Sequence, residues 1–400
     1  MTLRINWIEK LLKISKKDSR LIIGMMSGTS ADSIDAAICK VTAGGIDDPK
    51  TSVELMHFSS FPYPDSIKDR LHIEIGSLRA KDIAELNAEI GDSFAEAAIA
   101  AVQSAGLDFD RVDLIGSHGQ TVFHHSGKKS LLRTSLQLGD ADRIAEITGC
   151  AVISDFRMRD LAAGGEGAPI TPYADVILFR GNGDTSARRA ILNLGGISNV
   201  TILDPDVNKV TGFDTGPANA PLDRIARILS DGHLKYDRDA ALARRGKVND
   251  GLLEQLLKQD EFLRRKPPKS AGFEIYGDRF VEKTLELHGK ADEDLIATVT
   301  EFVAISIHDA LTNLVTCNPP VEEVVLAGGG SQNPLLVERI KEKLSPMRVI
   351  MSNELGVPYD AREGMAFALL ANDALLGFQT SLPSVTGAKK AVIMGKLSLS

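Results

Sequence analysis

The stretch Phe213–Asn219, FDTGPAN, places the carboxylate of Asp214 directly before a Thr-Gly-Pro turn. Loops that follow strands carry much of the catalytic chemistry of α/β proteins, so Asp214 is a candidate general base. The same residues read equally well as an Asx-turn, or as a cap for the segment from Pro217. Three small-residue turns also follow apolar, strand-like runs: Ser27–Asp32, Gly195–Asn199 and Gly328–Asn333. In the first, Gly28, Thr29, Ser30, Ala31, Asp32, Ser33, Ile34 and Asp35 offer hydroxyl and N–H groups that can face phosphate oxygens. Asp32 and Asp35 there supply hard oxygen ligands for Mg²⁺. Gly195 and Gly196 form the second turn, and Gly328, Gly329 and Gly330 the third. Three such turns favour a nucleotide cleft. No GxxxxGK[ST] or GxGxxG occurs, which removes the Walker and dinucleotide fingerprints.

The segment Ser154–Pro169, SDFRMRDLAAGGEGAP, packs Asp155, Arg157, Arg159, Asp160 and Glu166 around a double glycine. Its charges follow a buried-looking strand and lead into a glycine loop, a pattern suited to recognising sugar hydroxyls. His118, His124 and His125 have no further ligand at suitable spacing, so no histidine metal centre is expected. His118 within SHGQT reads as a pocket hydrogen-bonder.

Strand-like runs at 21–23, 34–41, 111–118, 151–154 and 324–327 alternate with helical patterns at 82–105, 141–149, 298–317 and 361–376, and the stretch 189–203 repeats the opening strand–turn–strand arrangement. That alternation means an α/β fold. At 400 residues the chain exceeds the size at which one core splits, so two lobes are expected. A net charge of −8 gives no support to a nucleic-acid surface. Cys39, Cys150 and Cys317 lie far apart, fit no metal spacing and suit a reducing compartment, so a cytoplasmic protein is expected. No apolar run reads as long enough to span a bilayer. Residues 1–20 are basic, with Trp7, Ile8, Leu11 and Leu12 at helical spacing, and lack the features of a signal peptide. A short extra helix packed on the body is predicted there.

Taken in order, IGMMSGTSADSID, GSHGQTVFH, SDFRMRDLAAGGEGAP, LNLGGISNVT, FDTGPAN, PPKS, LAGGGSQNP and VTGAKKAVIMGK resemble the 1,6-anhydro-N-acetylmuramic acid kinases, over roughly residues 20 to 396. The related levoglucosan kinases share most of these motifs. The resemblance implies the acetate and sugar kinase/Hsp70/actin fold: two α/β lobes with duplicated ribonuclease-H-like cores and ATP between them. It divides the chain into an N-terminal extension over 1–19, an N-terminal lobe over 20–187 and a C-terminal lobe over 188–400.

The chemistry implied is a coupled one. Asp214 matches the family's base, which activates a water to attack the anomeric carbon of the 1,6-anhydro sugar. The ether opens, O6 takes the γ-phosphoryl group of ATP, and N-acetylmuramic acid 6-phosphate and ADP result. Gly28 to Asp35 matches the phosphate loop, Asp32 and Glu363 the surroundings of Mg²⁺, and Asp155, Arg157 and Asp160 the sugar site. The chain departs from the family at Ser33, Glu166, Ala218, Phe273 and Gly364. Glu166 adds negative charge near a substrate that itself carries a carboxylate. A kinase for a neutral anhydro sugar such as levoglucosan, or an ATP-switched binding protein of the Hsp70/actin type, is the alternative. The expected partner is a small anhydro sugar, with no nucleic acid and no membrane. The sequence leaves monomer or homodimer open.

Overall fold

The structure, a computed structural model, describes residues 6–28, 31–71, 73, 75–125, 132–180, 188–267, 269–314 and 320–400. The chain forms two compact units, Met1–Arg180 with Ala361–Ser400, and Gly181–Asp360. Among the described residues the strands are β1 (Ser19–Ser27), β2 (Ser33–Thr42), β3 (Ser52–Pro62), β4 (Leu114–His125), β5 (Thr134–Leu138), β6 (Val152–Ser154), β7 (Arg188–Leu194), β8 (Ile197–Ile202), β9 (Thr211–Pro217), β10 (Val321–Ala327), β11 (Arg348–Met351) and β12 (Lys396–Ser398).

The first unit's sheet runs β12-β6-β4-β1-β2-β3, with β5 paired to β4, and the second unit's runs β11-β10-β7-β8-β9. In each, an antiparallel hairpin (β1–β2, β7–β8) adds a third antiparallel strand on one side. On the other side each adds two parallel strands (β4 and β6, β10 and β11). The two sheets thus repeat one α/β core within the chain, as the resemblance implies.

In the first unit, helix Ala80–Ser104 lays Ile90, Phe94 and Ala98 against Ile23 and Ile38 of the sheet. Phe94 is fully buried; truncating it to alanine would cost about 3–5 kcal/mol. Helix Ala141–Thr148 starts where Asp140 accepts the N–H groups of Asp142 and Arg143 at 3.0 and 3.1 Å, and stops at Gly149 with φ +66°. Helix Arg362–Leu376 packs on β1, β2 and β4. A Cβ on Gly24 would lie 1.8 Å from the Gly364 carbonyl oxygen, and one on Gly116 2.4 Å from that of Phe367. Helix and sheet meet there backbone to backbone.

Three expectations change. Residues 361–400 pack with the first unit, not within a lobe running from 188. The glycine seam holds the helix, and β12 pairs antiparallel with β6. The helix expected at 298–317 is Glu293–Thr312, because Asp292 caps it through the Leu295 N–H at 3.1 Å. That helix also meets the length and composition needed to cross a membrane, contrary to the expectation that no apolar run is long enough. Its 72% burial inside the structure marks it as a core helix, with Val303, Ile307 and Ala310 in the second unit's core. Edge strand β3 was missed, because its half-exposed, alternating residues carry a weak apolar signal.

The N-terminal helix, Trp7–Ser15, packs on the first unit as expected. Ile14 is buried, Lys10 Nζ donates to the Gly149 carbonyl at 3.3 Å, and Lys17 pairs with Asp113 at 2.5 Å.

Candidate active site

In the second unit Asp214 lies within β9, paired with Asn199 of β8 beside a bulge. Its N–H donates to the Lys269 carbonyl at 3.1 Å, and its Oδ2 accepts the Ala271 N–H at 2.7 Å. A segment 55 residues or more downstream therefore holds Asp214 by its backbone and by one oxygen of its carboxylate. The cap reading falls away. Helix Asn219–Leu229 is capped at Ala218 without any side-chain bond. Ala271 carries no sequence signal, because its contribution is a backbone N–H.

The turns at Gly195–Gly196 and Gly328–Gly330 come together in this unit. Gly195 accepts the Asn219 N–H at 3.0 Å, and Gly196 accepts those of Ala218 and Ala220 at 3.1 and 3.0 Å. Gly328 has φ +79°, and a Cβ there would sit 2.6 Å from Asn193 Oδ1. One on Gly330 would sit 2.8 Å from Leu194 Cβ. Side chains at these positions would push the loop off the end of β7. Gly329 lies between them in the same short helical turn.

In the first unit the β1–β2 hairpin carries the candidate phosphate loop, of which Thr29 and Ser30 lie outside the described residues. Gly28 accepts Gln120 Nε2–H at 3.1 Å and the Ala31 N–H at 3.1 Å. Ala31 has φ +53°, a conformation costly for a residue with a Cβ and concentrated at functional loops. Ser33 Oγ reaches Asp35 Oδ1 at 3.4 Å, and Ser60 Oγ donates to the same oxygen at 2.6 Å. The Ile34 side chain is buried in the sheet core, which leaves only its backbone to face a ligand. Strand alternation turns Ile34 inward when Asp35 faces the other side.

Behind this hairpin lies a buried charged cluster. Arg157 donates from Nε to His118 Nε2 at 3.0 Å and from Nη1 to the Gly167 carbonyl at 2.9 Å. Burial lowers the Arg157 guanidinium to about 10, with Glu363 opposing the shift. His118 stacks on Phe367 with ring centroids 4.7 Å apart, and its Nδ1 lies 3.1 Å from the Gly119 carbonyl. Burial first, and then Arg157, hold it neutral, well below the ordinary histidine range. Both ring nitrogens are thus engaged, so His118 orients Arg157 rather than offering a hydrogen bond to a sugar. Burial raises the Glu363 carboxyl; Arg362 and Arg157 oppose this, and Asp35 and Asp175 add to it. Arg362 is itself locked in a buried bidentate pair with Asp175 at 2.9 and 2.5 Å.

Asp35, not Asp32, is the hairpin carboxylate whose field reaches Glu363. Asp32 precedes the strand and is exposed. Among the described residues no group of three or more metal-ligating side chains assembles.

Asp160 is the clearest correction in the sugar segment. It is fully buried, its Oδ2 accepts the Gly167 N–H at 2.9 Å and its Oδ1 the Thr386 hydroxyl at 2.8 Å. It holds the glycine loop in shape and does not line an open site. The sequence signal was Thr386 itself, inside the VTGAKK motif. Asp155 has φ +52° and pairs with Lys396 at 2.5 Å, and Glu166 donates its N–H to the Thr386 carbonyl at 2.8 Å. Among the described residues Glu166 has no ion-pair partner.

The model of the family described as anhydro-N-acetylmuramic acid kinase matches residues 20–399. The chain belongs to the anhydro-N-acetylmuramic acid kinase family. Two curated members, from Caldanaerobacter subterraneus subsp. tengcongensis and Bacillus cereus strain Q1, are 41% and 37% identical to it. The first alignment covers 98% of this chain and 100% of the relative, the second 94% and 98%. Among solved structures, a ROK family glucokinase from Streptomyces griseus in complex with glucose and AMPPNP is similar over 88% of this chain and 99% of that chain. The identity is 14% and the TM-score 0.36, so the fold assignment rests on the repeated strand order above.

Against the anhydro-N-acetylmuramic acid kinase pattern, two of the five departures now have a physical reading. Gly364 lies in the helix–sheet seam, where a Cβ would sit 2.7 Å from that of Ala37. Phe273 places its half-exposed ring over the second glycine turn, 3.2 Å from where a Gly196 Cβ would stand. Ser33 has no positive φ that would demand glycine, and neither does Ala218, at φ −138°.

Proposed function

We propose that this chain phosphorylates O6 of 1,6-anhydro-N-acetylmuramic acid with ATP while water opens the anhydro bridge, giving N-acetylmuramic acid 6-phosphate and ADP. Asp214 accepts a proton from the water that attacks C1. The C1–O6 bond breaks, O6 attacks the γ-phosphorus, and the bond to the leaving ADP oxygen breaks. The observation that carries this reading is the carboxylate of Asp214, held by the Ala271 N–H on the strand that pairs with the one leaving the Gly195–Gly196 turn. A base must be fixed within reach of the proton it takes, and that loop fixes it. The turns suit phosphate oxygens.

Arg157, oriented by His118, supplies a buried cation in the sugar segment, and Asp155 and Glu166 offer acceptors for sugar hydroxyls. Asp35 and Glu363 fit Mg²⁺: they are hard oxygen donors, the Asp35 charge raises the Glu363 carboxyl, and Mg²⁺ needs only one or two protein carboxylates besides phosphates and water. When bound, the ion neutralises charge on the transferring phosphoryl group. The reading carries a cytoplasmic location, which buried, unpaired Cys39 and Cys150 support. It involves no nucleic-acid or membrane partner.

The test is ADP release with and without the anhydro sugar, in Mg²⁺ and after chelation, with the product weighed by mass spectrometry. A sugar-dependent, metal-dependent release giving a mass of sugar plus water plus phosphoryl is expected. ADP release indifferent to the sugar would refute the reading.

A further inference from the structure

We propose that Lys269 is a positioning residue for the proton-accepting carboxylate: its buried ammonium pins the segment 269–271 that grips Asp214 and keeps that carboxylate in its charged form. The proposal rests on the reading of Asp214 as the base.

Lysine is rarely buried without a purpose, and Lys269 is only 6% exposed. Its Nζ donates to the Phe262 carbonyl at 3.2 Å and to that of Leu263 at 3.5 Å, and stands 4.4 Å from the centroid of the Phe262 ring. These partners belong to the turn after helix Asp250–Gln259, which Asp260 ties off through the Phe262 and Leu263 N–H groups at 2.9 and 3.2 Å. The side chain therefore fastens one end of the segment to a turn that is itself fixed. The backbone does the rest. The Lys269 carbonyl takes the Asp214 N–H, and two residues later the Ala271 N–H reaches Asp214 Oδ2.

A long side chain that served only to anchor would not need to be charged. Burial lowers the Lys269 ammonium to about 8, and the carboxylates of Asp260 and Asp214 oppose that loss while Arg265 adds to it. Tyr276 donates its hydroxyl to Asp260 Oδ2 at 3.0 Å, so part of Asp260's charge is already committed. Lys269 thus spends its field on Asp214 as well as on Asp260. A nearby cation favours the carboxylate form of an aspartate, which is the form that can accept a proton. Removing the cation should therefore raise the pKa of Asp214 and move the acid limb of activity to higher pH.

Steady-state kinetics of the full chain with the anhydro sugar and ATP, between pH 4 and 9, test this with Lys269→Met, Lys269→Gln and Lys269→Arg beside Asp214→Asn. In Lys269→Met we expect kcat to fall about tenfold or more with KM for ATP changed less than about twofold, the signature of a lost chemical-step interaction. The acid limb of kcat/KM should move up by about one pH unit, the lower end of what an opposite charge does to a carboxylate. Lys269→Gln keeps an N–H donor without charge and should show the same limb shift if Lys269→Met fails to fold. Lys269→Arg should return the limb to its original position. An unmoved limb in either folded neutral variant overturns the proposal. An inactive wild type, or an Asp214→Asn variant with undiminished turnover, removes the base reading beneath it and is distinguishable from that result.

Discussion

Asp160 of the first unit and Asp214 of the second are both aspartates whose Oδ2 accepts a backbone N–H, at 2.9 and 2.7 Å. What surrounds those bonds differs. Asp160 is fully buried, with its second oxygen on the Thr386 hydroxyl. Asp214 is only partly buried, on a strand whose neighbouring turns are made of glycine. The same residue type and the same local bond thus serve opposite ends. A carboxylate whose oxygens are consumed inside a core fixes a loop, whereas one that is gripped but still reached by solvent can exchange a proton.

The largest expected effect tests the second half of that contrast. Asp214→Asn should lower kcat by about two to four orders of magnitude, the usual worth of a positioned base, while ATP affinity and melting temperature stay close to wild type. A variant that keeps a tenth of its turnover would return Asp214 to the status of Asp160.

Asp160→Ala should do the reverse, costing about 2–4 kcal/mol of stability through an orphaned N–H and hydroxyl. Its pH dependence has a definite sign. Burial raises the Asp160 carboxyl, with Thr386 and Gly167 opposing, so the folded state holds this proton more tightly than the unfolded chain. The residue's stabilising share is therefore fullest below the ordinary carboxylate pKa of about 3.9 and declines as pH rises through the folded value. Denaturant titrations should find the gap between wild type and variant wider at acid pH than at neutrality. A gap that grows with pH would mean Asp160 is held as a stabilised anion.

Gly364→Ala probes the helix that carries Glu363. Overpacking against Ala37 should cost about 1–3 kcal/mol, and a double-mutant cycle with Ala37→Gly should recover part of it. Strict additivity in that cycle would show that the seam relaxes elsewhere.

The smallest expected effect concerns Glu166, displayed by the loop that Asp160 holds. Glu166→Gln should improve kcat/KM for the carboxylate-bearing anhydro sugar relative to levoglucosan by up to about tenfold, the worth of one partly screened charge. An unchanged ratio would leave Glu166 as scaffold.

The alternation of strand and helix, the three glycine turns, the carboxylate before Thr-Gly-Pro and the motif series that identifies the family are all legible in the amino-acid order alone. These are local patterns: apolar periodicity, turn chemistry and the order of short words along the chain. That order could not separate Asp160 from Asp214, or Asp32 from Asp35, because burial and partner are not properties of a residue's neighbours in sequence. It took the folded chain to show that Thr386 closes over Asp160 from more than 200 residues away, and that the last 40 residues return to the first unit. The fold also brings the backbone groups at 269 and 271, which carry no side-chain signature, onto Asp214. Backbone hydrogen bonds and close helix–sheet approach depend on where segments meet in space, and that is set by the packing of the whole core.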